Sequence, residues 1–139
     1  MGTMPRGRLL LVEDEHLLRT LVAQFLRGEG FEVTEAGDGP DGVAQFAACG
    51  PFDLALLDLN LPGFSGVEVC RRIKAARPEQ PVMICSAAIL GEDESALGRM
   101  GVRHYLTKPY HPEELIAQIT LELSPPATRP VRRFTVGSA

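Results

Sequence analysis

Alternation predicts a doubly wound α/β domain. Five short apolar runs of strand length recur along the chain, and each is followed by a segment with apolar residues at helical spacing. The third run is apolar almost throughout, as a strand covered on both faces requires. Such alternation implies parallel strands in one sheet, with right-handed crossover helices on both sides.

The first run, Arg8–Val12, leads into a helical stripe of Leu17, Leu18, Leu21, Val22, Phe25 and Leu26. Gly28 and Gly30 end it, as glycines do past a helix C-terminus. Phe31–Ala36 alternates as a strand and Asp38-Gly39 turns the chain. A helix over 40–49 follows, with Pro40 in its first turn and Val43, Ala44, Phe46 and Ala47 on one face. Phe52–Leu57 is the third strand and Leu61-Pro62-Gly63 the loop after it. Ser65 and Glu68 then stand at capping-box spacing before a helix showing Val67, Cys70, Ile73 and Lys74, which Pro78 stops. Pro81–Cys85 is the fourth strand. The helix within 89–100 contains Gly91 and Gly98 and is expected to be the weakest of the five. Val102–Thr107 is the fifth strand. The last helix starts after Pro112, with Glu113 and Glu114 favourably near its N-terminus and Leu115, Ile116, Ile119 and Leu123 inward. Five strands of this kind fit the flavodoxin-like order 2-1-3-4-5, whose ligand crevice lies at the carboxyl ends of strands 1 and 3.

Composition narrows the function. A hydrophobic share of 45% with 23% charged residues excludes a disordered chain. No apolar run reaches the roughly 18 residues of a membrane span, and no signal peptide opens the sequence, so a cytoplasmic domain is expected. The net charge is −4, yet residues 124–139 hold three arginines and no acid, which leaves 1–123 at −7. An acidic body argues against direct nucleic-acid binding, which needs a basic face. Cys49, Cys70 and Cys85 lie within apolar patterns and read as reduced thiols. His16, His104 and His111 lack ligand spacing.

Chemistry gathers at the carboxyl ends of the strands. The first ends in Glu13-Asp14-Glu15, the third in Asp58, the fourth in Ser86 and the fifth in Lys108-Pro109. Strands 1 and 3 are neighbours in the expected order, so Asp14 and Asp58 should meet. Clustered carboxylates repel by on the order of a few kcal/mol per pair, and a hard divalent cation relieves that repulsion. Magnesium typically uses one or two carboxylates plus waters and phosphate oxygens. A hydroxyl and an ammonium beside the acids complete a site with an open coordination position.

Glu13-Asp14, Leu56-Leu57-Asp58-Leu59-Asn60-Leu61-Pro62-Gly63, Ser86-Ala87 and Lys108-Pro109 together resemble the receiver domain of two-component response regulators, over about residues 8–123. The resemblance implies that Asp58 is the phosphoacceptor. It implies that Asp14, Asp58 and the Asn60 backbone carbonyl bind magnesium, or manganese in its place, with Glu13 acting through a water. Lys108 and Ser86 would hold phosphoryl oxygens, with Ala87 beside them in the switch loop, Tyr105 as the mobile aromatic and Pro109 as a structural, cis-linked proline. Asn60 and Ala88 match positions that tune acyl-phosphate lifetime. Implied partners are a histidine kinase or histidine phosphotransfer protein, and a downstream target or fused output domain. A homodimer through the face of helix 4, strand 5 and helix 5 belongs to the same set. Leu17 or Leu18 on the first helix is a candidate docking point, although most of that stripe is expected in the core.

A haloacid-dehalogenase-like phosphatase is the rival reading. It also forms an aspartyl phosphate but carries a second acid two residues on, where Asn60 stands here. A flavodoxin-type carrier needs a phosphate-cradling loop after strand 1, which Glu13, Asp14 and Glu15 would repel. No G-x-x-x-x-G-K-[ST] occurs, which removes a P-loop nucleotidase. Residues 1–7 read as an N-terminal extension and 124–139 as a Pro- and Arg-containing tail or linker, with Val131–Val136 able to add a strand or a basic contact.

Overall fold

The computed structural model describes residues 4–124. Residues 1–3 of the extension, and the tail from 125 with its Val131–Val136 segment, lie outside the described residues. Five strands, β1 (Arg8–Val12), β2 (Glu32–Ala36), β3 (Leu54–Leu57), β4 (Val82–Ser86) and β5 (His104–Thr107), alternate with α1 (His16–Gly28), α2 (Gly39–Cys49), α3 (Gly66–Ala76), α4 (Gly91–Arg99) and α5 (Pro112–Leu123). All neighbours pair in parallel, in the order β2-β1-β3-β4-β5. The flavodoxin-like expectation holds.

Every residue of β3 and β4 is buried, because helices cover both faces there. Two cores result. Leu10, Leu57 and Ile84 face α2, α3 and α4, with Phe46, Ile73 and Leu97 opposite. Leu9, Leu56 and Met83 face α1 and α5, with Leu26, Leu115 and Ile119 opposite. The period-2 alternation of the strands splits their residues between these two layers.

Local chemistry fixes where the helices start. The Asp38 carboxylate accepts from the Asp41 amide at 2.7 Å, and the Ser65 hydroxyl accepts from the Glu68 amide at 3.3 Å. The expected reciprocal half of the Ser65 box does not form, since Glu68 pairs with Arg71 and Arg72 instead. Two nearby guanidiniums outcompete one backbone amide for that carboxylate. In α5 the Glu114 carboxylate reaches back to the His111 amide at 2.9 Å.

Several inward assignments shift. Leu17 and Leu21 are 65% and 55% exposed, whereas Val22, Ala23 and Leu26 form the buried side of α1. Ala44 and Ala47 face solvent, and Gln118 is buried on α5 where only apolar residues were expected. A stripe six residues wide overfills a helix that packs along one line, so its outer members turn outward.

Among the five helices α4 buries only Leu97. A Cβ placed at Gly98 meets nothing within 4 Å. Gly98→Ala therefore removes only backbone freedom, a stabilisation of about 0.8–1 kcal/mol. Amide exchange within α4 is expected to slow by about fivefold in that variant, read by hydrogen–deuterium exchange. Slowing confined to α4 would show that it opens locally, slowing throughout the domain that it opens only with the whole, and unchanged exchange that the substitution does not stabilise the helix.

Candidate functional site

The carboxyl edge of the sheet is built by adjacent strand ends. The Glu13 amide extends the β1–β2 pairing by donating to the Ala36 carbonyl at 3.0 Å, and the Asp58 amide donates to the Val12 carbonyl at 3.1 Å. The Lys108 amide likewise donates to the Ser86 carbonyl at 3.0 Å. Sheet register thus carries Glu13, Asp58, Ser86 and Lys108 to one line without any loop having to reach.

Asp58 is 6% exposed and Glu13 5% exposed. The Lys108 ammonium donates to Asp58 Oδ2 at 2.7 Å and also to a Glu13 carboxylate oxygen. Ser86 Oγ donates to Asp58 Oδ1 at 3.0 Å, and the Asn60 amide donates to the same oxygen at 3.1 Å. The second Glu13 oxygen accepts from the Glu15 amide at 3.0 Å. Both oxygens of Asp58 are therefore held, and its carboxylate orientation is fixed before any ligand arrives.

Burial pushes the Glu13 carboxyl above its ordinary range, against the Lys108 and Glu15 hydrogen bonds that pull it down, with the Asp58 charge adding to the rise. For Lys108 burial works against the ammonium. Its hydrogen bonds to Asp58 and Glu13 and their charges outweigh that, so its value is raised and it stays charged. The pair of acids and the lysine share one positive charge among two negative ones.

Asp14 is exposed at the mouth. One carboxylate oxygen each from Glu13, Asp14 and Asp58 lies within 4.8 Å of the others. Among the described residues this is the one group of acid, histidine or cysteine side chains with metal-holding geometry. The donor set is oxygen only, with no thiolate or imidazole, which fits a hard divalent cation. The chain can present an acidic pocket to such an ion.

The remaining expected residues spread outward. Ala87 is exposed beside Ser86, and Asn60 is exposed two residues beyond Asp58. The Lys108–Pro109 bond is cis, as expected, and so is Gly50–Pro51, which the sequence did not flag. Tyr105 is half-buried against the α3–α4 side of the core, and its hydroxyl donates to the Val102 carbonyl at 3.4 Å. It does not touch the acid cluster. Burial, with Glu94 nearby, raises its phenol.

Two residues at the site escaped the sequence reading. Arg19 donates from Nη1 to the Glu13 carbonyl at 2.8 Å. Gly66 opens α3 so close to β3 that a Cβ there would fall 2.1 Å from the Asp58 carbonyl oxygen. Gly66 directly after the capping Ser65 was a usable signal, whereas a contact to a backbone carbonyl leaves none.

A family model described as the response regulator receiver domain matches residues 9–120. Sensory transduction protein RegX3 of Mycolicibacterium smegmatis is 45% identical over 111 residues, which is 80% of this chain and 48% of that protein. DNA-binding response regulator MtrA of the same organism is 36% identical over 138 residues, 99% of this chain and 59% of that protein. The chain thus spans about half the length of the curated relatives it matches. Among solved structures, a CheY-like response regulator receiver domain protein from Methanospirillum hungatei superposes with a TM-score of 0.80 at 27% identity, covering 87% of this chain and 94% of that one. The beryllofluoride-activated DrrB receiver domain gives 0.72 at 30% identity, covering 84% and 97%. These relatives do not favour the phosphatase reading. The family match begins within β1 and ends within α5, the span over which the sheet edge is assembled, and the chain belongs to the response regulator receiver domain family of two-component signalling.

Proposed function

We propose that Asp58 accepts a phosphoryl group from a phosphohistidine partner, and that residues 8–123 are the unit that does so. One observation carries the reading: the Asp58 carboxylate is buried, held on both oxygens and flanked by two further acids and an ammonium. In the transfer an Asp58 oxygen bonds to phosphorus as the phosphorus–nitrogen bond to the partner imidazole breaks. The electron pair of that bond stays on the imidazole nitrogen. Asp14, Asp58 and the Asn60 carbonyl would hold magnesium, or manganese, with Glu13 binding through a water. What a metal held by these residues would supply is neutralisation of the charge that builds up on the phosphoryl oxygens. Lys108 exchanges its hydrogen bond with Asp58 for one to a phosphoryl oxygen, and Ser86 Oγ does the same from the other side. The chain's own chemistry is then limited to gaining and losing this group.

The switch runs outward from Ser86. As Ser86 follows the phosphoryl group it draws in Ala87 and Ala88, and Tyr105 moves into the space vacated beneath β4. The α4–β5–α5 face is altered for a downstream target, an output domain or a second copy. The match to the DNA-binding regulator MtrA covers 138 residues and so runs past α5, which favours a fused output domain over a free-standing regulator. Leu17 and Leu21, exposed four residues apart on α1, provide the docking face for the kinase or phosphotransfer helix. Leu18 instead packs against the core. A cytoplasmic location is part of the same proposal. Among the described residues no helix is long and apolar enough to cross a membrane.

The deciding experiment is intact-mass detection of phosphorylation by acetyl phosphate, with and without magnesium, for the native chain and Asp58→Asn. Addition of one phosphoryl group, dependent on magnesium and absent in the variant, is expected. No addition under either condition would overturn the mechanism while leaving the fold intact.

A further inference from the structure

We propose that Arg19 is a positioning residue for the acid cluster: by holding the Glu13 carbonyl it sets the turn that presents Glu13 and Asp14 to a divalent cation. The inference rests on the metal-dependent reading above.

Glu13 is restrained at every polar atom. Its amide donates to Ala36, one carboxylate oxygen accepts from Lys108 and the other accepts from the Glu15 amide. Its carbonyl is the fourth point, and there the donor is Arg19 Nη1 at 2.8 Å. This side-chain bond ties Glu13 itself to α1, beside the bond that the Arg19 amide donates to the Glu15 carbonyl at 2.9 Å. Arg19 is itself anchored. Its side chain is only 17% exposed and its Nε lies 3.5 Å from Glu35 Oε1 on β2. Nη2 lies 3.0 Å from His16 Nδ1, which must be the acceptor because a guanidinium has no lone pair to offer. Glu35 is fixed in turn by Arg27 at 3.0 Å, and Arg27 donates to the Val33 carbonyl at 2.8 Å. A Cβ at Gly37 would fall 3.1 Å from Arg19 Nη1, so the guanidinium lies against a position where any side chain would crowd it. The chain of contacts runs from the edge strand β2, through Arg19, to the backbone beneath the metal-facing acids.

Two effects of opposite sign meet in this residue. A positive charge behind the cluster repels an incoming cation, while a fixed turn keeps two carboxylates at the spacing that a cation needs. The neighbouring Glu35 carboxylate offsets the charge, so positioning dominates. Groups that orient ligands from behind in this way are worth about 10–100-fold in metal affinity.

The test is a magnesium titration of the whole chain, followed by backbone amide shifts of residues 13–15 and 58–60. Arg19→Gln and Arg19→Lys are both expected to raise the apparent dissociation constant, the glutamine variant by about tenfold and the lysine variant by less. Lysine keeps the charge but cannot reach the Glu13 carbonyl and Glu35 together. Gly37→Val displaces Arg19 with every charge retained and should weaken binding in the same direction, which decides the matter if the Arg19 variants do not fold. Any loss of phosphorylation rate in these variants should be larger at limiting than at saturating magnesium, a split that a merely structural defect would not produce. Unchanged or tighter binding in these variants overturns the inference alone. Failure of the native chain to bind magnesium overturns the metal-dependent reading and this inference with it.

Discussion

Lys108→Ala is expected to slow phosphorylation by acetyl phosphate by about 10²-fold or more at saturating magnesium, the usual cost of losing one donor aimed at developing charge. The same change should destabilise the domain when divalent cations are chelated. Lys108 is the cation that two buried carboxylates, Glu13 and Asp58, share. Removing one partner of a fully buried pair costs about 3–5 kcal/mol. Here the lysine is 16% exposed and Asp14 opens the cluster to water, so about 2 kcal/mol is expected. Added magnesium should restore much of that stability, because a divalent ion at the acids replaces the missing charge. Glu13, already raised by burial, should move further up, since the lysine hydrogen bond and charge are the main influences lowering it. Denaturant titrations in chelator and in magnesium give the stability half of the prediction, and phosphorylation kinetics give the other. A variant equally stable with and without magnesium would mean that the lysine does not stand in for the metal.

The carboxyl edge was legible because it depends on register. Once alternation fixes parallel strands and their order, the residue after each strand is carried to a known line, and Glu13, Asp58, Ser86 and Lys108 needed no further information. Asp14 followed from Glu13. Leu17 and Leu21 were harder to place, since helical spacing says which residues share a face but not how much of that face the sheet covers. In α1 the contact is a narrow line through Val22, Ala23 and Leu26. Gln118 and Arg19 were illegible for a different reason. Each is a polar residue whose role depends on what the tertiary fold brings within a few ångströms, and a side chain bonded to a carbonyl six residues back has no pattern to betray it. Glu68 shows the converse, a correct spacing whose box did not close because two arginines on the next turn compete for the carboxylate.

Gly66→Ala should be among the most damaging single substitutions in the chain, although it adds one methyl group. The new Cβ would fall 2.1 Å from the Asp58 carbonyl oxygen and 2.8 Å from Leu59 Cα, both backbone atoms with no rotamer to yield. The Gly66 amide also donates to the Leu59 carbonyl at 2.9 Å, so α3 begins in direct hydrogen-bonded contact with the end of β3. Relief requires the N-terminus of α3 to lift away, carrying Ser65 and the buried Val67 and Val69 with it. Crowding of this kind typically costs about 1–3 kcal/mol and more when backbone is the obstacle, so a loss of about 3 kcal/mol is expected. At roughly 3–4 °C per kcal/mol for a chain of this size, the melting temperature should fall by about 10 °C. Phosphorylation should suffer beyond what instability explains, because the displaced strand end carries both the Asp58 carboxylate and the Asn60 carbonyl. Gly98→Ala, whose Cβ would meet open space, is the matched control: the same methyl group, an opposite sign in stability and no loss of phosphorylation. Equal effects of the two substitutions on phosphorylation would show that the close approach of α3 to β3 has no part in holding Asp58 in place.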